Sequence, residues 1–492
     1  MGETTDLLVI GGGINGAGIA RDAAGRGLSV TLVEQSDLAS ATSSWSSKLI
    51  HGGLRYLEQY EFRLVREALQ EREVLLRLAP HIIRPLLFVL PHDASMRPAW
   101  MIRAGLWLYD HLGGRITLPG SKAVSFPHME FSAGLKGDLR SGFVYSDCRV
   151  DDSRLTLVNA MAAREKGATV LTRTRFERAR RIDGEWEAEI SAASGKRILR
   201  TRALVNAAGP WVMDVLGRVE GDKVKGRVRL VKGSHIIVPK VHSQRHAYIL
   251  QNTDKRVVFL IPYEGRFTLI GTTDVPVPDV AAAARISQEE TDYLLAAANR
   301  FLAKPLARAD VVSSYAGVRP LYDDGSENPS EVTRDYVLKL DHDAHRSPLV
   351  TIFGGKITTY RRLAEEAMER LAPFFPGMKG PWTGDEVLPG GNVAHFNAFR
   401  DEMQQQYSKL GRELIEGVVR RHGNRATKVL GEAAKLDDLG RYFGAGLTER
   451  EVEYLRAQEW AVSAEDILWR RTKCGLHMTE AERAAVATYL GE

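Results

Sequence analysis

The chain has 492 residues, 44% hydrophobic and 26% charged, a composition that buries more than one core and excludes wholesale disorder. Its net charge of +5 is small for this length and its Lys and Arg residues are scattered. That excludes a nucleic-acid stripe and suits an anionic substrate or an anionic membrane surface. The two cysteines, Cys148 and Cys474, show no CxxC or Cys/His spacing, so no zinc site is expected, and two isolated thiols point to a reducing compartment.

No basic segment precedes the first apolar run, so no signal peptide is expected, and no apolar stretch is long enough to cross a bilayer as a helix. Leu7 to Ile10 reads as a buried parallel strand, broken by Gly11 to Gly13. A helical pattern runs from Ile14 to Ala24 and ends at Gly25 and Gly27, and Ser29 to Val33 is the next strand, closed by Glu34. Ala39 to Arg55 is a Ser- and Gly-rich loop, and Glu58 to Leu78 has apolar residues at helical spacing. Arg97 to Tyr109 mixes aromatic, apolar and basic residues as an interfacial helix does, the alternative being a core-packed helix. Helix is expected over Val150 to Lys166 and strand over Thr169 to Arg173. Leu204 and Val205 lead into NAAGPW, strands run from Arg229 to Thr273, and a helix covers roughly Ser287 to Leu302. Val311 to Pro320 returns to strand and turn, and Leu349 to Phe353 is a strand followed by Gly354, Gly355 and a helix to about Leu371. Pro376, Pro381 and Leu388 to Gly391 mark a linker, beyond which only helices are expected.

Three motifs carry chemistry. Gly11-Gly12-Gly13-Ile14-Asn15-Gly16 is a G-x-G-x-x-G between a strand and a helix. Gly11 permits the tight turn, Gly13 the approach of backbone to a pyrophosphate, and Gly16 the packing of helix on strand. The helix N-terminus then favours the anion, and Glu34, at the end of the second strand, is placed to accept from ribose hydroxyls. An acid there suits NAD or FAD over NADP. The stretch Thr42, Ser43, Ser44, Ser46, Ser47, Lys48, Leu49, Ile50, His51, Gly52, Gly53 selects FAD, because short hydroxyls and glycines let backbone lie along an isoalloxazine. The third motif, Phe353 to Tyr360, ends a strand in two glycines before a helix, whose N-terminus would favour negative charge at the flavin's pyrimidine end.

With these motifs, the segments VIGGGINGAGIARDAAGRGLSV, ATSSWSSKLIHGGLRYLEQYEFRLVREAL, VNAAGPW, KGSHIIVP, IGTTD, YAGVRPL, TRDY, FGGKITTYRRLAE and DILWRRTKCGL resemble the aerobic, membrane-associated, FAD-dependent glycerol-3-phosphate dehydrogenases across most of the chain. The resemblance implies an α/β fold: an FAD-binding Rossmann-like domain of the glutathione-reductase/amino-acid-oxidase type, an inserted α+β substrate domain and a C-terminal helical domain. The expected bounds are 1–75, 145–230 and 315–380 for the first, 76–144 and 231–314 for the second, and 385–492 for the third. It implies non-covalent FAD held by Gly11, Gly12, Gly13, Asn15, Gly16, Glu34, Thr42, Ser43, Ser44, Ser47, Lys48, Leu49, His51, Gly52 and Gly53. Ala208, Gly209, Trp211, Gly317, Arg319, Gly354, Gly355, Lys356, Ile357 and Thr358 complete that set. Arg55, Arg319, Arg334 and Lys356 are the matching candidates for the substrate phosphate, with Tyr56 and His235 close by.

The expected reaction oxidises sn-glycerol 3-phosphate to dihydroxyacetone phosphate, with hydride to FAD and electrons onward to a membrane quinone. His235 is the first choice of base, and Arg319 and His51 are alternatives as base or alkoxide stabiliser. The resemblance further implies a homodimer, cytoplasmic and peripherally bound to the inner face of the membrane, with no nucleic-acid partner. The rival readings are an oxidase of the same fold that reduces oxygen, a flavin amine or amino-acid oxidase, and a non-catalytic flavin-binding membrane sensor.

Overall fold

The βαβ unit at the start of the chain becomes the centre of the first sheet. Glu3–Ile10 lies parallel to Val30–Val33 on one side and to Gly195–Asn206 on the other. Thr169–Leu171 and Leu349–Phe353 extend the sheet in parallel at its two sides, and Val337–Asp341 closes one edge antiparallel. Parallel strands are covered on both faces, which is why Leu7, Leu8 and Val9 are an unbroken apolar run with no exposure. The helices Ile14–Gly25, Asp152–Glu165 and Tyr360–Leu371 pack together over this sheet. The computed structural model describes residues 3–492 apart from 94–95, 115–116, 127–129, 222, 225, 255, 284, 324–334 and 343–346.

A second, ten-stranded sheet forms the cap. Its long ladders pair Ile83–His92 with Ser141–Val150 and Val228–Pro239 with Ser313–Tyr322, both antiparallel. The expected domain borders shift accordingly: residues 145–150 and 315–322, assigned above to the cofactor domain, are cap strands, because each completes a full-length antiparallel ladder there. The cap core gathers Val89, Ile236, Tyr248, Val258 and Leu294, the last from a helix, Gln288–Asn299, that starts at a Ser287–Glu290 capping box.

Three local expectations also change. The helix over Glu58–Leu78 begins at Phe62, because Leu54–Gln59 is a separate 3-10 turn ended at Tyr60, whose φ is +59°. The loop Ala39–Arg55 contains a short strand, Leu49–Ile50, paired with Ser141–Val150. Beyond residue 385 the chain is helical except for Tyr442–Gly444 and Leu447–Thr448, which pair antiparallel. Gly444, Ala445 and Gly446 all have positive φ, a reversal that a helix cannot hold. The C-terminal segment docks through two buried ion pairs, Glu459 on Arg154 and Arg471 on Asp37, and a half-buried one, Lys473 on Asp151.

Candidate functional site

The glycine turn is built as its spacing requires. Gly11 has φ +111°, and a Cβ there would stand 2.6 Å from the Ala207 carbonyl oxygen; a Cβ on Gly16 would stand 1.9 Å from the Gly11 oxygen. Gly13 caps the helix with no side chain, and a Cβ on it would meet only Ser43 Oγ, so the backbone here stays open to a ligand. Gly12 N–H donates to Glu34 Oε2 (2.7 Å) and Ser36 N–H to Glu34 Oε1 (2.8 Å). Burial raises the pKa of the Glu34 carboxyl, against those two donors.

A cavity of about 430 Å³ opens over this turn. Gly11, Gly13, Asn15 and Glu34 line it from the first βαβ unit, Thr42 and Ser43 from the Ser-rich loop, Ala208, Gly209 and Trp211 from the NAAGPW turn, and Gly354 and Gly355 from the third motif. Asn15 Nδ2 donates to the Gly354 carbonyl (3.1 Å), and its buried Oδ1 has no hydrogen-bond partner among the described residues. A second cavity, about 240 Å³, shares Ile14, Thr42, Ser43, Trp45, Pro320, Gly354 and Gly355 with the first, so the two form one trough. A side-chain-free turn at a helix N-terminus, a carboxylate at the end of the neighbouring strand, an orphaned amide oxygen and a long, mostly apolar trough fit FAD in an extended form.

The second cavity gathers the expected reactive groups. Ser47, Leu49, His51, Gly52, Tyr56, His235, Gly317, Arg319, Lys356, Ile357 and Thr358 all line it. His235 Nε2 and Ser47 Oγ share a hydrogen bond of 2.9 Å, the imidazole stacks on Tyr315 (centroids 4.8 Å apart), and its buried Nδ1 has no hydrogen-bond partner among the described residues. Burial, with the charges of Lys48 and Arg319, pushes the His235 pKa down to about 3. Burial and Lys356 also lower the His51 pKa, against Asp147. Both imidazoles are therefore neutral near pH 7 and can accept a proton. Arg319 Nη2 donates to the Thr273 carbonyl (3.1 Å) and pairs with Asp274; Lys356 Nζ lies 4.0 Å above the Tyr56 ring. Beneath His51, Gly52 N–H donates to Tyr109 Oη (2.8 Å), which donates to Asp147, itself paired with Arg72.

Other expected site residues lie outside the trough. Lys48 is buried and turned away, with Nζ donating to the Ser44 carbonyl (2.7 Å) and to Asp152 Oδ1 (2.8 Å), because its φ of +57° reverses the chain. Ser44 Oγ donates to the Ala41 carbonyl, and Gly12, Gly16 and Gly53 shape turns without lining either cavity. Arg55 is exposed and lines neither cavity, and Arg334 lies outside the described residues. The helix expected directly after Gly355 starts only at Tyr360, so the motif meets the trough with its glycines and with Lys356 to Thr358 rather than with a helix end. Trp45, Thr272, Asp274 and Tyr315 were not singled out by sequence, although each stands inside a quoted segment.

The Arg97–Tyr109 stretch forms a helix, Ala99–Leu112, that buries only Leu106 and Tyr109 and leaves Trp100 (70%) and Trp107 (61%) largely exposed, so the core-packed alternative does not hold. Among the described residues no helix is long and apolar enough to cross a membrane, and no His, Cys, Asp or Glu cluster could hold a metal ion.

Residues 6–361 match the family profile described as FAD dependent oxidoreductase, and residues 382–490 match the C-terminal domain of alpha-glycerophosphate oxidase. The chain is 55% identical to a D-erythritol 1-phosphate dehydrogenase of Brucella abortus, covering 98% of this chain and 97% of that protein. It is 53% identical to a glycerol-3-phosphate dehydrogenase of Pseudomonas aeruginosa, covering 100% and 96%. Among solved structures, the glycerol-3-phosphate dehydrogenase from Bacillus halodurans complexed with FAD superposes with a TM-score of 0.75 at 28% identity, over 99% of this chain and 94% of that one.

Proposed function

The chain belongs to the FAD-dependent oxidoreductases, in the family of the glycerol-3-phosphate dehydrogenases, and on that premise we propose that it oxidises sn-glycerol 3-phosphate to dihydroxyacetone phosphate and passes the electrons to a membrane quinone. The observation that carries the reading is the convergence of Arg319, Lys356 and a neutral His235 on one trough continuous with the dinucleotide turn. Bound FAD supplies the acceptor for the hydride that leaves the substrate carbon. The chain supplies the rest. Lys356 and Arg319 bring positive charge to the phosphate end, with Lys356 steadied by the Tyr56 ring and Arg319 by Asp274. His235 takes the hydroxyl proton at Nε2, the atom it shares with Ser47 Oγ. His51, also neutral, lines the same cavity and would hydrogen-bond the developing alkoxide. The exposed tryptophans of the Ala99–Leu112 helix support docking on a membrane, where a quinone is found.

A second reading rests on the Brucella abortus relative, whose name gives D-erythritol 1-phosphate as substrate. The two polyol phosphates differ by one CHOH unit, and each presents a secondary alcohol beside the phosphate-bearing carbon. The test is anaerobic. Flavin-loaded protein in mild detergent is mixed with each substrate, and bleaching of the flavin band is followed before a soluble quinone analogue or air is admitted. Faster bleaching by glycerol 3-phosphate, reversed by quinone and only slowly by air, is the expected result. Faster bleaching by D-erythritol 1-phosphate reassigns the substrate, rapid reversal by air makes the protein an oxidase, and no bleaching by either refutes both readings.

A further inference from the structure

A cleft of about 140 Å³ lies between the cap sheet and the C-terminal segment, away from the trough. Six cationic side chains line it, Lys48, Arg84, Arg149, Arg420, Arg421 and Lys473, against two carboxylates, Asp151 and Glu264. Four of the cations are matched: Lys48 by Asp152, Lys473 by Asp151, Arg421 by Glu451 and Arg420 by Glu416. Arg84 and Arg149 are not. They stand directly opposite each other in the antiparallel ladder, where like charges repel, and among the described residues neither forms an ion pair, Glu264 and Glu416 acting on them only through space. Among the described residues Arg84 donates to the His81 carbonyl (3.0 Å), and it lies over the Phe396 ring. Among the described residues Arg420 Nε is buried without a hydrogen-bond partner, and so are both ring nitrogens of His81, which also lines the cleft and is 1% exposed.

We propose that this cleft is an anion site that takes one phosphate group, as free phosphate or as the end of a soluble monoester, between Arg84, Arg149 and Arg420. Guanidinium forks converging from two strands and a helix suit a tetrahedral, multiply charged oxyanion, and the volume excludes a nucleotide. The charge count agrees, since among the described residues lining the cleft Glu264 is the one carboxylate left for two arginines. Burial and the mutual repulsion of these arginines lower the pKa of Arg84 and Arg149, so both guanidinium charges are under-compensated until an anion arrives. Because Arg420 belongs to Arg412–His422, a helix of the C-terminal segment, and Arg84 and Arg149 to the cap, the anion would clamp the two together.

The test is titration calorimetry of the FAD-loaded full chain with inorganic phosphate at constant ionic strength. It is run in a Lys356→Gln background so that the proposed substrate site does not contribute. Arg149→Gln should weaken phosphate binding about tenfold or more, and Glu264→Gln, which removes the competing carboxylate, should strengthen it severalfold. Without phosphate, Arg149→Gln should melt no lower than its parent, because it relieves a repulsion; a purely structural arginine would lower it. The proposal is overturned if phosphate does not bind, if Arg149→Gln and Glu264→Gln both bind it like the parent, or if only vesicles bearing phosphate headgroups, and not the free ion, are bound.

Discussion

The sharpest consequence of the geometry concerns His235. Its Nε2 lies 2.9 Å from Ser47 Oγ on the wall of the trough, and its pKa of about 3 keeps it neutral over the whole working range. Replacing it by Gln keeps a polar group near Ser47 but removes the proton acceptor. A positioned general base is worth roughly 10²- to 10⁴-fold, which corresponds to about 3–5 kcal/mol of barrier. The assay is anaerobic stopped-flow bleaching of the flavin band at saturating substrate, which isolates the chemical step from reoxidation. The reduction rate of the parent should hold from pH 8 down past pH 6, because protonation of His235 lies far below its ordinary value. The sign of the linked stability follows: between about 6.5 and 3 the unfolded chain binds a proton that the folded one refuses, so this contribution is complete above 6.5 and declines as the pH falls. Reduction of flavin by His235→Gln at the parent's rate would refute the assignment, whatever happened to steady-state turnover.

Gly16→Ala places a Cβ 1.9 Å from the Gly11 carbonyl, so it should cost about 3 kcal/mol and yield protein depleted of flavin, read from the absorbance ratio and the melting temperature. Glu34→Ala leaves two turn N–H groups without their acceptor and should weaken FAD retention by about 1–3 kcal/mol, measured by fluorescence during reconstitution. Glu459→Gln breaks a fully buried pair with Arg154 and should destabilise the C-terminal segment by about 3–5 kcal/mol, seen as earlier cleavage near residue 385 in limited proteolysis. The same segment should loosen in acid: although burial alone would raise it, Arg421 and His422 hold the Glu451 carboxyl at about 2, so its stabilisation is complete above 4.5 and lost as the pH falls toward 2. Trp100→Ser with Trp107→Ser should reduce partition into anionic vesicles severalfold without changing flavin reduction in solution; unchanged partition would remove this helix from the membrane reading.

Where the physics was local, the sequence was easy to read. The turn at Gly11, the acid at Glu34 and the strand Leu349–Phe353 follow from spacing, burial and backbone sterics within a few residues. What escaped was decided at long range. Ser141–Val150 and Ser313–Tyr322 carry no local mark of their sheet, and only their partners, far along the chain, place them in the cap rather than in the cofactor sheet. Side-chain direction escaped for the same reason. Lys48 sits among residues that line the trough, yet one left-handed φ turns it to Asp152, and Arg55, two residues past Gly53, points to solvent. Tyr315 and Asp274 stood inside quoted segments, but nothing in their spacing says that one stacks on His235 and the other pairs with Arg319.

Those long-range contacts also tie the C-terminal segment to the chemistry. The Ser-rich loop is held on its trough side by Ser43 Oγ, which accepts from Ile14 N–H, and by Ser47 Oγ against His235. On its outer side Ser46 Oγ and Lys48 Nζ both donate to Asp152, the first residue of the Asp152–Glu165 helix. Asp151, the cap of that helix, pairs with Lys473, and Arg154 in its first turn pairs with Glu459. One helix end thus grips the cofactor loop with one carboxylate and the C-terminal segment with its neighbours. Apart from the half-buried Asp151, the charged members are buried, and breaking one of their pairs leaves an uncompensated charge rather than a solvated one. The C-terminal segment is therefore linked, through Asp151, Asp152 and Arg154, to the loop that carries Ser47, without lining the trough where FAD and substrate are proposed to meet.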